Sequence, residues 1–173
     1  TVDVTLKHGL PSSSIVHSTS SGDAMFAAND RWLIVDDAAD GDPLLAPQQA
    51  TTAFLLHGVG GAVLPDAASF VDSASVSDKQ ATMQWSSLTV PANGKTVLMH
   101  FAVQQINRTG AFAAVERLAT LPPEALASLT ESEVLSIRNF NVPANGESTV
   151  TPLPRLTGGL NGRVLEGDGR TPV

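Results

Sequence analysis

The chain contains no cysteine and no tyrosine in its 173 residues. Without cysteine there is no disulfide framework, no zinc–thiolate or iron–sulfur site and no thiol nucleophile. That gap does not argue against secretion, because a domain of this length buries enough surface to fold without covalent staples. Charge is scarce as well. Asp, Glu, Lys and Arg make up 16% of the chain, against about a quarter in an average soluble domain. The surface must therefore draw on Ser, Thr, Asn, Gln, Gly and Ala, which suits extracellular β modules better than cytosolic enzymes. Ten basic residues stand against seventeen acidic ones, a net charge of −7, and the basic ones are scattered. Nucleic-acid binding and attraction to anionic lipid both require clustered Lys and Arg, so neither is expected. No apolar run approaches the roughly 20 residues of a membrane-spanning helix, and no membrane insertion is expected.

What the chain does have is alternation. Apolar residues make up 42% of it, enough for a core. Residues 1–6 place Val2, Val4 and Leu6 on one face, the period of a half-buried strand. Residues 14–17 form a weaker strand. Residues 31–35 are apolar on both faces, which predicts an inner strand, and residues 51–57 another. Gly58, Gly60 and Gly61 then punctuate the chain, and 65–80, rich in Ser, Ala and Asp, reads as a long surface loop. The clearest β signal runs from Ala81 to Gln105. Met83, Trp85, Leu88 and Val90 lead to a turn at Pro91-Ala-Asn-Gly94, and residues 95–103 follow with Val97, Met99, Phe101 and Val103 on one face. Trp32, Met99 and Phe101 are expected in the core.

Residues 111–139 switch to helical spacing, with Phe112, Val115, Leu118 and Ala119 on one face. Pro122 and Pro123 punctuate the helices, and Thr130 with Glu133 forms a capping box. Residues 147–153 are strand-like. Val90-Pro-Ala-Asn-Gly94 recurs as Val142-Pro-Ala-Asn-Gly146, two equivalent turns rather than a duplicated domain. The expectation is a mainly β, β-sandwich-like module over residues 1–156 with a short helical insertion at about 111–139. Residues 157–173 are expected to be a linker and the first strand of a following domain, or a strand-exchange tail. A start at Thr1 inside a strand pattern suggests a processed or excised piece.

Few residues suggest chemistry. Asp36, Asp37, Asp40 and Asp42 form the densest carboxylate cluster and a candidate calcium cradle, calcium being the one cofactor that the sequence suggests. The EF-hand frame fails there, since its third position is Ala38 and its twelfth is Pro47. A solvated turn is the plainer reading. His8, His17, His57 and His100 lie far apart in sequence, with no ligand spacing between them. Gly58-Val-Gly-Gly61 lacks the Lys-Ser/Thr of a phosphate loop and reads as a flexible turn. No Gly-x-Ser-x-Gly elbow occurs. A glycosidase pair would have to come from the acidic turn or from exposed helix positions such as Glu116 and Glu131, which read as surface charges. Trp32 and Trp85 are candidate sugar-stacking platforms, but both lie in apolar strand patterns and read as core. Asn107-Arg-Thr109 fits a glycosylation sequon.

Two stretches carry resemblances. Ser20-Ser-Gly-Asp23, residues 30–37, Gly41-Asp-Pro43, the run from Val90-Pro-Ala-Asn-Gly94 to Met99-His-Phe101, and Arg138-Asn-Phe140 together resemble a module repeated in large secreted bacterial proteins. This likeness spans roughly residues 18–141 and implies an architecture and an extracellular or cell-surface setting, but no activity. Gly162-Arg-Val164, Gly167-Asp-Gly169 and Thr171-Pro-Val173 resemble the opening of carboxypeptidase-regulatory-like domains, which are small Ig-like sandwiches.

The expected function is therefore a non-catalytic structural or adhesive module of a multidomain surface protein. Its expected partners are neighbouring domains or copies of itself, met by strand addition through one terminal segment, with Asn161 to Leu165 the nearest candidate. The rival is a carbohydrate- or calcium-binding accessory domain of a secreted enzyme. An enzyme is a third class, for which no nucleophile–base pair is visible.

Overall fold

A computed structural model of the chain describes residues 1–37, 49–71 and 79–154. These residues form strands β1 (Val2–Leu10), β2 (Ser14–Thr19), β3 (Trp32–Asp37), β4 (Thr51–Leu55), β5 (Ala67–Val71), β6 (Lys79–Leu88) and β7 (Phe101–Gln105). Helices α1 (Arg108–Leu118), α2 (Pro123–Leu126) and α3 (Glu131–Val134) follow. The strands make two antiparallel sheets, one ordered β1-β6-β5 and the other β2-β3-β4-β7. The mainly β, sandwich-like architecture with a short helical excursion is as expected.

The doubly apolar strands explain the layering. Leu33, Val35, Phe54 and Leu56 point into a core shared with Leu10, Ala81, Met83, Trp85 and Leu88 of the three-stranded sheet. Trp32, Ile34, Ala53 and Leu55, the alternate residues of the same strands, point the other way into a second core with Ala111, Val115, Ala119, Leu126, Val134 and Phe140. A strand that is apolar on both faces needs cover on both faces, and the helices supply the outer layer, with α1 across β3, β4 and β7. Small Ala111 and Val115 are the fully buried residues of α1, which lets the helix sit close to the sheet. Phe112 is half exposed and meets the edge of Trp32 from the rim, so the buried stripe lies one position off the one expected. The capping box forms as expected, Thr130 N–H donating to Glu133 Oε2 at 2.9 Å.

Four expectations are corrected. Residues 65–80 are not all loop, since β5 and the start of β6 lie within them. Residues 147–153 form no strand. The Glu147 N–H is taken by Asn145 Oδ1 and the Val150 N–H by Ser148 Oγ, local bonds that compete with a ladder. Of residues 95–103, only those from Phe101 on enter a strand, and β7 pairs with β4 rather than with β6 across the turn. The turn itself forms, Gly94 N–H donating to Pro91 O with Asn93 at φ 57°, but it sends the chain to the other sheet. Its sequence twin turns with Gly146, not Asn145, at positive φ (71°). Finally, Trp32 is buried, but Met99 and Phe101 are only partly buried at the rim of the helical core.

Candidate functional site

Asp36 and Asp37 close β3; Asp40 and Asp42 lie outside the described residues. Asp36 is 1% exposed, and both of its oxygens accept from the protein. Oδ2 takes Arg108 Nε at 2.7 Å and Thr51 Oγ1 at 2.9 Å; Oδ1 takes the Asp37 N–H at 2.9 Å. Asp37 Oδ2 accepts the Gln49 N–H at 3.1 Å. This end of the expected calcium cradle therefore ties the end of β3 to the start of β4 and to the first turn of α1. Among the described residues no three His, Asp or Glu side chains converge as metal ligands.

Two other buried polar residues do similar work. Asp30 is fully buried ahead of β3, and its carboxylate accepts the backbone N–H groups of Ser21 and Ala27, each at 2.9 Å. Burial pushes its carboxyl up, but hydrogen bonds from Ala27, Ser21 and Thr19 outweigh that and hold it below the usual range. Asn139 is also fully buried. Its Nδ2 donates to Leu56 O at 2.6 Å and to Met99 O at 2.5 Å, and its Oδ1 accepts the Met99 N–H at 2.9 Å. The sequence places Asn139 only in the Arg138-Asn-Phe140 stretch of the resemblance; its bonding role is not legible there, because its partners lie 40 and 83 positions away.

The histidines are not all isolated. His8 on β1 stacks on Phe54 of β4 with ring centroids 4.5 Å apart, and the His100 ring lies 5.6 Å from it. The sandwich brings them together by laying β1 over the β4–β7 side of the other sheet. Burial lowers the pKa of both, and the neighbouring His100 charge lowers His8 further. An open cleft of about 450 Å³ adjoins His8 and Phe54, lined also by Leu10, Gln49, Thr52 and Gln104. Gln49 Oε1 accepts from Ser14 Oγ, so the polar wall of the cleft is partly engaged within the fold. His57 is buried against the Gly58 carbonyl, and its pKa is lowered chiefly by desolvation. His17 is exposed on β2.

The remaining candidates have structural roles. Trp32 is 5% and Trp85 3% exposed, so neither offers a face to a sugar ring. Glu116 accepts from Trp32 Nε1 at 2.8 Å, and Glu131 lies in the first turn of α3. Asn107 of the sequon caps α1, its Oδ1 accepting the Gly110 N–H at 2.7 Å. Gly58 and Gly61 are places of close approach rather than a flexible turn. A Cβ on Gly58 would stand 2.7 Å from Ala119 O, and one on Gly61 would overlap the Asn139 carbonyl. No protein-family model, curated protein or solved structure matches the chain.

Proposed function

We propose that the chain is a non-catalytic structural or adhesive module of a secreted or cell-surface multidomain protein. One observation carries the reading: the buried polar side chains Asp30, Asp36 and Asn139 spend their hydrogen bonds within the fold, on backbone groups, on the Ser20 and Thr51 hydroxyls and on Arg108. Catalytic groups, by contrast, are commonly held with bonding capacity in reserve and aimed at a cleft. The low charge content and the likeness of residues 18–141 to repeated modules of large secreted bacterial proteins support the setting. The rival, an accessory domain for calcium or carbohydrate, loses its two indole platforms to the core.

Thermal unfolding with added calcium, and separately with soluble polysaccharides, tests the reading. A ligand at a hundred times its Kd stabilises by about 2.7 kcal/mol, roughly 5–10 °C for a chain of this size. No shift is expected. A shift of that size, or turnover of ester, glycoside or peptide substrates, overturns the reading.

A further inference from the structure

β1 is one of the two outer strands of its sheet, and its backbone bonds only to β6 among the described residues. Open edges are ordinarily blunted by short length, proline, a bulge or charged side chains, Lys above all. Of these, β1 carries only the charges of Asp3 and Lys7, which are of opposite sign. β5 and β7 have five residues each, and β2 has six with a register break between Val16 and Ser18. β1 has nine residues and no proline. The irregularity in its pairing lies on β6: Val2 faces Leu88 and Val4 faces Trp85, so the extra residue is in the Ser86–Ser87 stretch, where Ser87 has φ 54°. The open edge itself is regular.

The hydrogen-bond pattern shows which residues that edge presents. The N–H and C=O of one strand residue point to the same side. Gln84 of β6 gives its carbonyl to the Asp66 N–H at 2.8 Å, on the β5 side. Its β1 partner is Thr5, so Thr5 turns its N–H and C=O outward, and Asp3 and Lys7 do likewise by alternation.

We propose that β1 is a self-recognition edge: two copies pair their β1 strands antiparallel about a two-fold axis at Thr5, joining two three-stranded sheets into one of six strands. Charge selects this register. An axis at Thr5 sets Thr5 opposite Thr5 and Asp3 opposite Lys7 of the second copy, twice over. An axis at Lys7 sets Lys against Lys, one at Asp3 sets Asp against Asp, and an axis at Val4 or Leu6 leaves both Asp3 and Lys7 without an opposite charge across the seam. Lys7 has no carboxylate within ion-pairing distance among the described residues. Asp3 uses Oδ1 for the Ser87 N–H at 2.7 Å and has its other oxygen free. On the opposite face the same register sets Val4 beside Leu6 of the second copy. Val2 and Val4, 48% and 36% exposed at the end of an otherwise core-facing row, would gain apolar cover. The inference deepens the structural-module reading and rests on it for the use of such an edge.

Light scattering of the intact chain over a range of concentration should show twice the 17.9 kDa of one copy. Lys7→Asp sets like charges opposite each other at two symmetry-related places and should weaken the dimer about tenfold or more. Asp3→Lys does the same, and mixing the two variants should restore a dimer, since each then complements the other. Asp3→Lys also gives up the Ser87 bond, so Thr5→Pro is the independent check. It removes an outward N–H that β6 does not use, and should give a folded monomer. Deleting residues 157–173 should leave the dimer intact. A monomeric intact chain overturns the proposal, as does a dimer indifferent to Lys7→Asp or one lost with residues 157–173, which would make that tail the occupant. A monomer would leave the structural-module reading standing, and substrate turnover would leave the dimer standing.

Discussion

Asn139→Ala removes an amide whose three hydrogen bonds join segments 40 and 83 residues apart in sequence. The alanine leaves Leu56 O, Met99 O and the Met99 N–H without their partner. Each buried orphan costs about 1–3 kcal/mol, less whatever water or small backbone shifts recover. The expected loss is therefore about 3–5 kcal/mol, a large part of the 5–15 kcal/mol that typically stabilises a domain. At roughly 2–4 °C per kcal/mol for this length, the melting temperature should fall by about 6–20 °C. Asn139→Leu, close in volume, separates bonding from packing and should be nearly as damaging. Asn139→Asp adds a pH signature. A carboxyl there faces two carbonyls in a buried site, so its pKa rises on folding. The unfolded carboxyl ionises near pH 4 while the folded one keeps its proton. The unfolded state then binds fewer protons, so this variant should lose stability as pH rises from about 4 towards neutral. Urea unfolding over that range is the assay. An alanine variant within about 1 kcal/mol of the parent, or an aspartate variant with the parent's pH profile, would refute the reasoning.

Arg108→Met strands the Asp36 carboxylate, 1% exposed, with only the Thr51 hydroxyl and the Asp37 N–H. Breaking one side of a buried pair costs about 3–5 kcal/mol; since Arg108 is itself partly exposed, about 3 kcal/mol is expected from denaturant midpoints, and under 1 kcal/mol would show that water screens the pair. His8, His57 and His100 all have pKa values lowered by burial from 6.5. The unfolded imidazoles therefore take protons that the folded ones refuse, so stability should be level above about pH 7 and fall steadily below 6.5. A level profile down to about pH 5, or no flattening in the His8→Gln/His100→Gln double variant, contradicts the assignment.

Period and composition made much of this fold legible. Trp32 to Val35 showed apolar residues on both faces, and that predicts an inner strand with cover on each side. Thr130 and Glu133 carried a complete local signature, because a capping box needs only four consecutive residues. Contacts made across sequence distance were not legible. His8 and His100 gave no sign of meeting, since nothing in either neighbourhood encodes which strands of two sheets face each other. Gly58 and Gly61 read as punctuation, yet their lack of a Cβ is needed where residues 119 and 139–140 press against them. At the acidic turn, charge density suggested a cation. At Asp36 the structure supplies that positive charge from Arg108, 72 residues on.

The misread strand at residues 95–103 shows how one residue separates pattern from ladder. Its alternation is real, since Val97, Met99 and Phe101 all pack against the helical core. Yet the β4–β7 ladder stops at Leu55 and Phe101. Beyond that rung the Asn139 amide stands in the fork between the diverging chains, bonded to Leu56 O on one side and to both backbone groups of Met99 on the other. A primary amide carries the same donor and acceptor as a peptide unit, so it replaces strand bonding at Met99 without a strand. Two residues further out, Val97 is bonded on both backbone groups by Ser136 O and the Arg138 N–H. The segment after α3 thus bonds the stretch of chain that leads into β7. Gly61 lets the loop after β4 lie against that same segment, the Ala62 and Val63 N–H groups both donating to Arg138 O. Residues 136–140 are therefore the clasp that holds the helical layer to the four-stranded sheet. The approach to β7 is covered by the chain itself, while β1, on the other sheet, has no such cover among the described residues.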